Sequence, residues 1–239
     1  MRKIEELLVK VKNKKMLIIF PHPDDESYNC AGIIMTAKEL GYDVTLITLT
    51  QGGAGKISIN PKGKSLKELR IDELKKAAEI LGIDNLVIKD YDDAKLKKRN
   101  GWSKWLEKET VRINPGIVVT YDHTGLTGHP DHISISLFIK ELAKLSKLKK
   151  TVFLWPIPST KVIGFMPEKI RDIVPKADRV LGMPASVTYK KLRAVLAHKS
   201  QKNNIRKYLI ILMLFERKEW YHKVVINKDY PYKFIDFEI

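Results

Sequence analysis

The amino-acid sequence predicts an α/β fold: a Rossmann-like, doubly wound, mostly parallel sheet with helices on both faces and a less regular C-terminal extension. Three observations carry that reading. Short continuous apolar runs alternate with helix-periodic stretches over the first two-thirds of the chain. Such runs suit strands covered on both faces, which is the habit of parallel sheets. At 239 residues the chain is also of a size for one compact domain. We read a core over about 15–201 and an extension over 202–239.

The elements follow in order. Lys15–Phe20 (KMLIIF) is the first strand, and a helical stretch from about Ser27 to Leu40 stops at Gly41. Asp43–Thr50 (DVTLITLT) is the second strand. Ser65–Leu81 is a strong helix with apolar positions at Leu66, Leu69, Leu74, Ala77, Ala78 and Leu81, and Gly82 lies just past its end. Leu86–Tyr91 is the third strand, Trp102–Ile113 a weaker helix and Gly116–Tyr121 (GIVVTY) the fourth strand. A helix from Pro130 to about Leu148 and a strand at Thr151–Pro156 complete the regular part. Beyond Ile157 the reading is a helix near Ser186–Lys199 and an edge strand at Tyr232–Phe237. Parallel strands need crossover helices, and ligands in such sheets bind at the carboxyl ends of the strands.

Composition bounds the function. A single cysteine, Cys30, excludes an internal disulfide framework and a four-cysteine zinc module. The amino terminus has no uninterrupted apolar stretch of signal-peptide type, and the longest apolar run, Tyr208–Phe215, is far short of a membrane span. We expect a cytoplasmic protein without a membrane span. The formal charge of +16 raises nucleic acid as a partner. Arginine, the usual tool for forked phosphate contacts, supplies only nine of the 44 basic residues, and the lysines are spread along the chain. A lysine-rich solvated surface is the reading, with no nucleic acid expected. A homo-oligomer is left open.

Chemistry concentrates in two motifs. Pro21-His22-Pro23-Asp24-Asp25-Glu26 directly follows the first strand, and Gly128-His129-Pro130-Asp131-His132 follows the fourth. Strands one and four flank the crossover of a doubly wound sheet, so the motifs face each other across one crevice. Histidine and carboxylate suit zinc, and three protein ligands with an open position mark a catalytic site. His22 and Asp25 can converge from one turn and His132 can reach them from the opposite side. That leaves Asp24 to take a proton and His129 to give one, the parts that metal-assisted hydrolysis needs. Either motif alone reads more readily as turn or helix-start chemistry. Together, holding three of the six histidines, they read as a site.

The pair PHPDDE and GHPDH resembles the PIG-L/LmbE family of zinc-dependent de-N-acetylases, which act mainly on N-acetylglucosamine-containing substrates. Three further stretches are similar to family elements: Thr48–Gly55 (TLTQGGAG), Arg70-Ile71-Asp72-Glu73, and His198-Lys199-Ser200-Gln201. The resemblance covers about residues 15–201. It implies His22, Asp25 and His132 as zinc ligands and Asp24 as general base. It implies His129 as general acid or oxyanion partner, oriented by Asp131. Arg70 is implied at the substrate; His198 is implied either at the substrate or behind the groups that touch it, and by its place alone reads as a cap near a helix end. The cofactor it implies is Zn2+, with Fe2+ or another divalent ion in the same place, and the partner a small N-acetylated sugar conjugate. The Gly-rich segment departs from the family, with Gln51 and Gly53 where an acidic residue is common.

Other signals are weaker. Gly63-Lys64-Ser65 lacks the glycine a phosphate-binding loop needs, Ser58 standing in its place, and no GxGxxG follows a strand. His123, His222 and the four tryptophans read as loop, packing or surface residues. Two rival functions are a metal-dependent amidase on a non-sugar amide, and a basic nucleic-acid or anionic-lipid binder with a vestigial site.

Overall fold

A computed structural model describes residues 1–61, 63–98, 101–164, 166, 168–201, 210 and 216–226. Its strands are β1 (Arg2–Lys3), β2 (Lys15–Phe20), β3 (Asp43–Thr50), β4 (Asn85–Tyr91), β5 (Ile117–Val119), β6 (Val152–Ile157), β7 (Arg179–Gly182) and β8 (Lys218–Lys223). The helices are α1 (Ile4–Lys10), α2 (Asp25–Asn29), α3 (Ala31–Glu39), α4 (Leu66–Leu81), α5 (Trp102–Ile113), α6 (Gly125–Gly128), α7 (Pro130–Leu142), α8 (Thr160–Ile163), α9 (Glu168–Arg171) and α10 (Ala185–Ala197).

The strands form one sheet in the order β1-β7-β8-β6-β5-β2-β3-β4. Every pairing is parallel except those of β8, which runs antiparallel to β6 and β7. The chain leaves β2 toward β3 and β4, then returns to place β5 on the other side of β2. That reversal is the switch point expected from the sequence, and it opens a crevice at the carboxyl ends of β2 and β5.

The continuous apolar runs are apolar for a reason: both faces of the central strands are covered. Met16, Ile18 and Phe20 of β2 pack with α3, α4 and α10, while Leu17 and Ile19 pack with α5 and α7. Trp102 lies in the second layer, 1% exposed, edge-on to Phe138. Helix α4 starts at a reciprocal capping box between Ser65 and Glu68 and stops at Gly82, whose φ of 75° suits glycine.

Several boundaries differ from the sequence reading. The stretch after the first motif is two helices, α2 and α3, broken at Cys30, where φ is −136°. Helix α7 ends at Leu142, and residues 146–148 form a separate 3₁₀ turn. The expected strand at Tyr232–Phe237 lies outside the described residues. The segment after 201 is more than an appendage, because β8 is an interior strand between β7 and β6.

A charged residue anchors β8. Glu219, 5% exposed, accepts the Gly32 and Ile33 N–H groups at 2.8 and 3.0 Å, at the start of α3. It also accepts from Lys191 Nζ at 2.7 Å and the Tyr221 hydroxyl at 2.6 Å. Removing the carboxylate strands a buried ammonium and two helix-start N–H groups. Glu219→Ala is therefore expected to cost about 3–5 kcal/mol, read as a lower urea midpoint of the whole chain. An unchanged midpoint would contradict this account of β8.

Candidate active site

The site sits on the carboxyl ends of four adjacent strands, β5, β2, β3 and β4. The turn after β2 supplies His22, Asp24 and Asp25, and the start of α7 supplies His129, Asp131 and His132. Pro130 at the first position of α7 fixes where that helix begins.

His22 Nδ1 lies 3.1 Å from His132 Nε2, and Asp25 reaches the two rings at 3.7 and 3.8 Å through its two oxygens. His22, His129 and His132 each offer a nitrogen within 4.8 Å of the others'. Of the expected ligands this group holds His22 and His132, with His129 in it and Asp25 beside it. A second group shares His22, with Asp93 and Asp131.

Hydrogen bonds on the outer side choose which nitrogens face inward. His132 Nδ1 bonds the Gly125 carbonyl at 2.9 Å, leaving Nε2 toward His22. Asp93 Oδ1 at 2.9 Å and Asp131 Oδ2 at 3.3 Å accept from His22 Nε2, leaving Nδ1 toward His132. Burial disfavours a charge on His22, but the bonds to Asp131 and Asp93 and the nearby Asp25 outweigh it and hold the imidazole up at about 10. Burial pushes Asp25 up to about 7, against the pull of His22. His132 is driven well below its usual value by burial and then by the charges of His22 and His129. Tyr121 lies parallel to the His132 ring, with centroids 4.0 Å apart, and its hydroxyl donates to Asp25 Oδ1.

Asp24 stands beside the cluster with its side chain 20% exposed, and Arg70 Nη2 lies 3.4 Å from its carboxylate. The same guanidinium donates to the Pro23 carbonyl and, at 3.2 Å, to that of Gly52. Gly52 has φ of 66°, and a Cβ there would lie 2.3 Å from Arg70 Nη1, so this approach requires glycine. Arg70 is 5% exposed and joins two turns of the site.

Asp131 and His198 take partners that the sequence does not point to. The Asp131 carboxylate makes no hydrogen bond to His129: its oxygens accept from Ala94 N–H, Leu96 N–H and His22. His129 is held by the Asp131 backbone N–H, which donates to its Nδ1 at 3.2 Å. His198 is 0% exposed and pairs with Glu26 at 3.0 Å, which of the positions left open by the sequence is the one behind the first motif.

Three residues went unread in the sequence. Asp93 and Tyr121 carry no motif, yet each lies at or just past the end of a predicted strand, where ligands gather. Glu26 was inside a quoted motif without a role. His123 and His222 pack against Trp155, away from the cluster.

Residues 17–143 match the family model PIG-L, described as GlcNAc-PI de-N-acetylase. A Bacillus anthracis protein, named a probable N-acetyl-alpha-D-glucosaminyl L-malate deacetylase 2, is 32% identical over 198 residues, covering 80% of this chain and 83% of its own. The chain belongs to the PIG-L family. As a member it is an N-deacetylase, a hydrolase of amide bonds, with a His/Asp group able to hold a metal ion.

Solved structures agree on the fold. The N,N'-diacetylchitobiose deacetylase of Pyrococcus horikoshii matches with a TM-score of 0.69 at 20% identity, over 92% of this chain and 90% of its own. The 4-carboxy-2-hydroxymuconate hydratase GalB of Pseudomonas putida matches with a TM-score of 0.67 at 19% identity, over 89% and 96%. The fold therefore hosts more than one reaction, and the chemistry has to be argued from the site. No helix among the described residues is long and apolar enough to cross a membrane.

Proposed function

We propose that this PIG-L family member is a zinc-dependent hydrolase that removes the acetyl group of an N-acetylglucosamine-type substrate and releases acetate. The observation that carries the reading is the convergence of His22, Asp25 and His132 beside Asp24 and His129. The names of its relatives, which include an N-acetylglucosaminyl malate deacetylase, support the sugar.

The donor set fits the ion. Tetrahedral zinc with bonds of ~2.0–2.1 Å puts neighbouring donors ~3.3 Å apart. His22 Nδ1 and His132 Nε2 are 3.1 Å apart, and Asp25 presents one oxygen to each ring, Oδ2 at 3.7 Å from His22 and Oδ1 at 3.8 Å from His132. Two imidazoles and one carboxylate also suit Fe2+, so the ion is to be identified by elemental analysis. Bound there, a divalent ion supplies Lewis acidity that polarises an amide carbonyl and makes water easier to deprotonate.

The chain's own residues do the rest. Asp24, beside the ligands and partly open to solvent, takes a proton from the attacking water. Arg70 holds Asp24 and the Gly52 turn in one arrangement. His129, kept below its usual pKa by burial and by the charge of His22, is neutral, and its Nδ1 accepts a backbone N–H. Its Nε2 then carries the proton and can donate to the developing oxyanion.

Two outcomes follow for the metal. In the metal-free protein, protons on His22 and Asp25 occupy donor positions, with the groups held at about 10 and about 7. Raising the pH removes those protons and frees the donors. Zinc affinity, measured by chelator competition, is expected to rise by about one log unit or more per pH unit between about pH 6 and 9. A flat profile would show that His22 holds no proton in the metal-free site over that range. Asp93→Asn weakens the acceptor that orients His22, so zinc affinity is expected to fall about 10–100-fold with little change in stability.

The test of the reaction is acetate release by zinc-loaded protein from N-acetylglucosamine, N,N'-diacetylchitobiose and the malate and inositol glycosides of N-acetylglucosamine. Release that is absent with Asp24→Asn supports the proposal. Silence across the panel, with one tightly held zinc per chain, would keep the site and discard the sugar.

A further inference from the structure

The peptide unit joining Pro23 to Asp24 is gripped at both ends by buried charges. Its carbonyl accepts from Arg70 Nη2, and its N–H donates to Glu26 Oε2 at 3.1 Å. The grip coincides with backbone strain, since Asp24 has φ of 103°, a left-handed conformation that non-glycine residues rarely adopt. Such a conformation persists only where the surroundings hold it.

Glu26 can hold it because Glu26 is itself held. It is 0% exposed, and its other oxygen accepts from the Ser27 hydroxyl at 2.5 Å and from His198 Nε2 at 3.0 Å. His198 is tied in place by the residues after it. Ser200 N–H and Oγ both donate to Glu73 at 2.7 Å, and Glu73 lies one turn along α4 from Arg70. One helix and the 198–200 segment thus support both grips on a single peptide.

We propose that Glu26 and His198 are positioning residues that fix the Pro23–Asp24 peptide and thereby aim the Asp24 carboxylate. Neither touches the reacting atoms. Released from the Glu26 bond, the peptide rotates toward an ordinary negative φ and swings Asp24 away from the cluster. This inference rests on Asp24 acting as the base.

A double-mutant cycle tests it, with N,N'-diacetylchitobiose as substrate. Glu26→Gln is expected to lower kcat about 10–100-fold, with KM and zinc content unchanged, because small misplacements of a catalytic group cost rates of that order. In the Asp24→Asn background the same substitution is expected to cost less than about twofold, since no base remains to misplace. In metal-free protein the Asp24 amide is expected to exchange hydrogen at least about tenfold faster in Glu26→Gln. Should Glu26→Gln not fold, His198→Gln, which keeps a neutral donor, takes its place in the cycle. Equal losses in both backgrounds, or unchanged kcat, overturn the positioning role while leaving the base in place. Full activity in Asp24→Asn alone removes the base and this inference with it.

Discussion

Asp24→Asn is expected to keep its zinc and its fold and lose about 10²–10⁴-fold in turnover, the usual contribution of a positioned general base. The substitution is nearly isosteric, so Arg70 still meets an oxygen where it now lies 3.4 Å from the carboxylate. The backbone grip on the Pro23–Asp24 peptide is made by main-chain atoms and survives as well. What disappears is the ability to accept a proton. Steady-state kinetics on the acetylated sugar, with zinc counted per chain, separate this loss from loss of metal. Turnover near that of the unaltered chain would show that the proton leaves by another route.

His132→Ala is expected to abolish tight zinc binding, and turnover with it. His132 is the only one of the three proposed ligands that comes from α7, so its removal leaves His22 and Asp25 on one turn and a gap opposite. The ring also stacks on Tyr121 and bonds Gly125, so a small loss of stability accompanies the change. Elemental analysis after dialysis, beside a thermal melt, reads the two effects separately. Undiminished zinc in a folded variant would take His132 out of the ligand set.

Much of this site was legible before any coordinates. The runs at Lys15–Phe20 and Asp43–Thr50 end where the strands end, because strands covered on both faces read as near-continuous apolar and β-branched runs bounded by turn residues. With the strands placed, the two histidine motifs fell at carboxyl ends and so into one crevice. What stayed hidden depended on contacts between distant parts of the chain. Asp93 is one acid among Asp90, Asp92 and Asp93, and only its 2.9 Å approach to His22 sets it apart. The strand KEWYHK goes unread in the sequence, since it carries Glu219 and the partners that allow that charge indoors lie near residues 32 and 191. Asp131 was expected to orient His129 because the family resemblance implies that role. In the fold its carboxylate turns to His22 and two backbone N–H groups instead.

The interior place of β8 sets an order of events during synthesis. Strands β1 and β7 pair with each other, and their link to the rest of the sheet runs through β8. A nascent chain that has emerged only as far as residue 201 therefore holds the strands β6-β5-β2-β3-β4 and, apart from them, the β1–β7 pair, without the strand that joins the two. Every residue of the proposed metal and base cluster has been made by then, on a half-sheet whose β6 edge is still bare. An unpaired edge is where sheets recruit foreign strands. Until residue 223 has emerged, that β6 edge lacks the strand that covers it in the finished sheet.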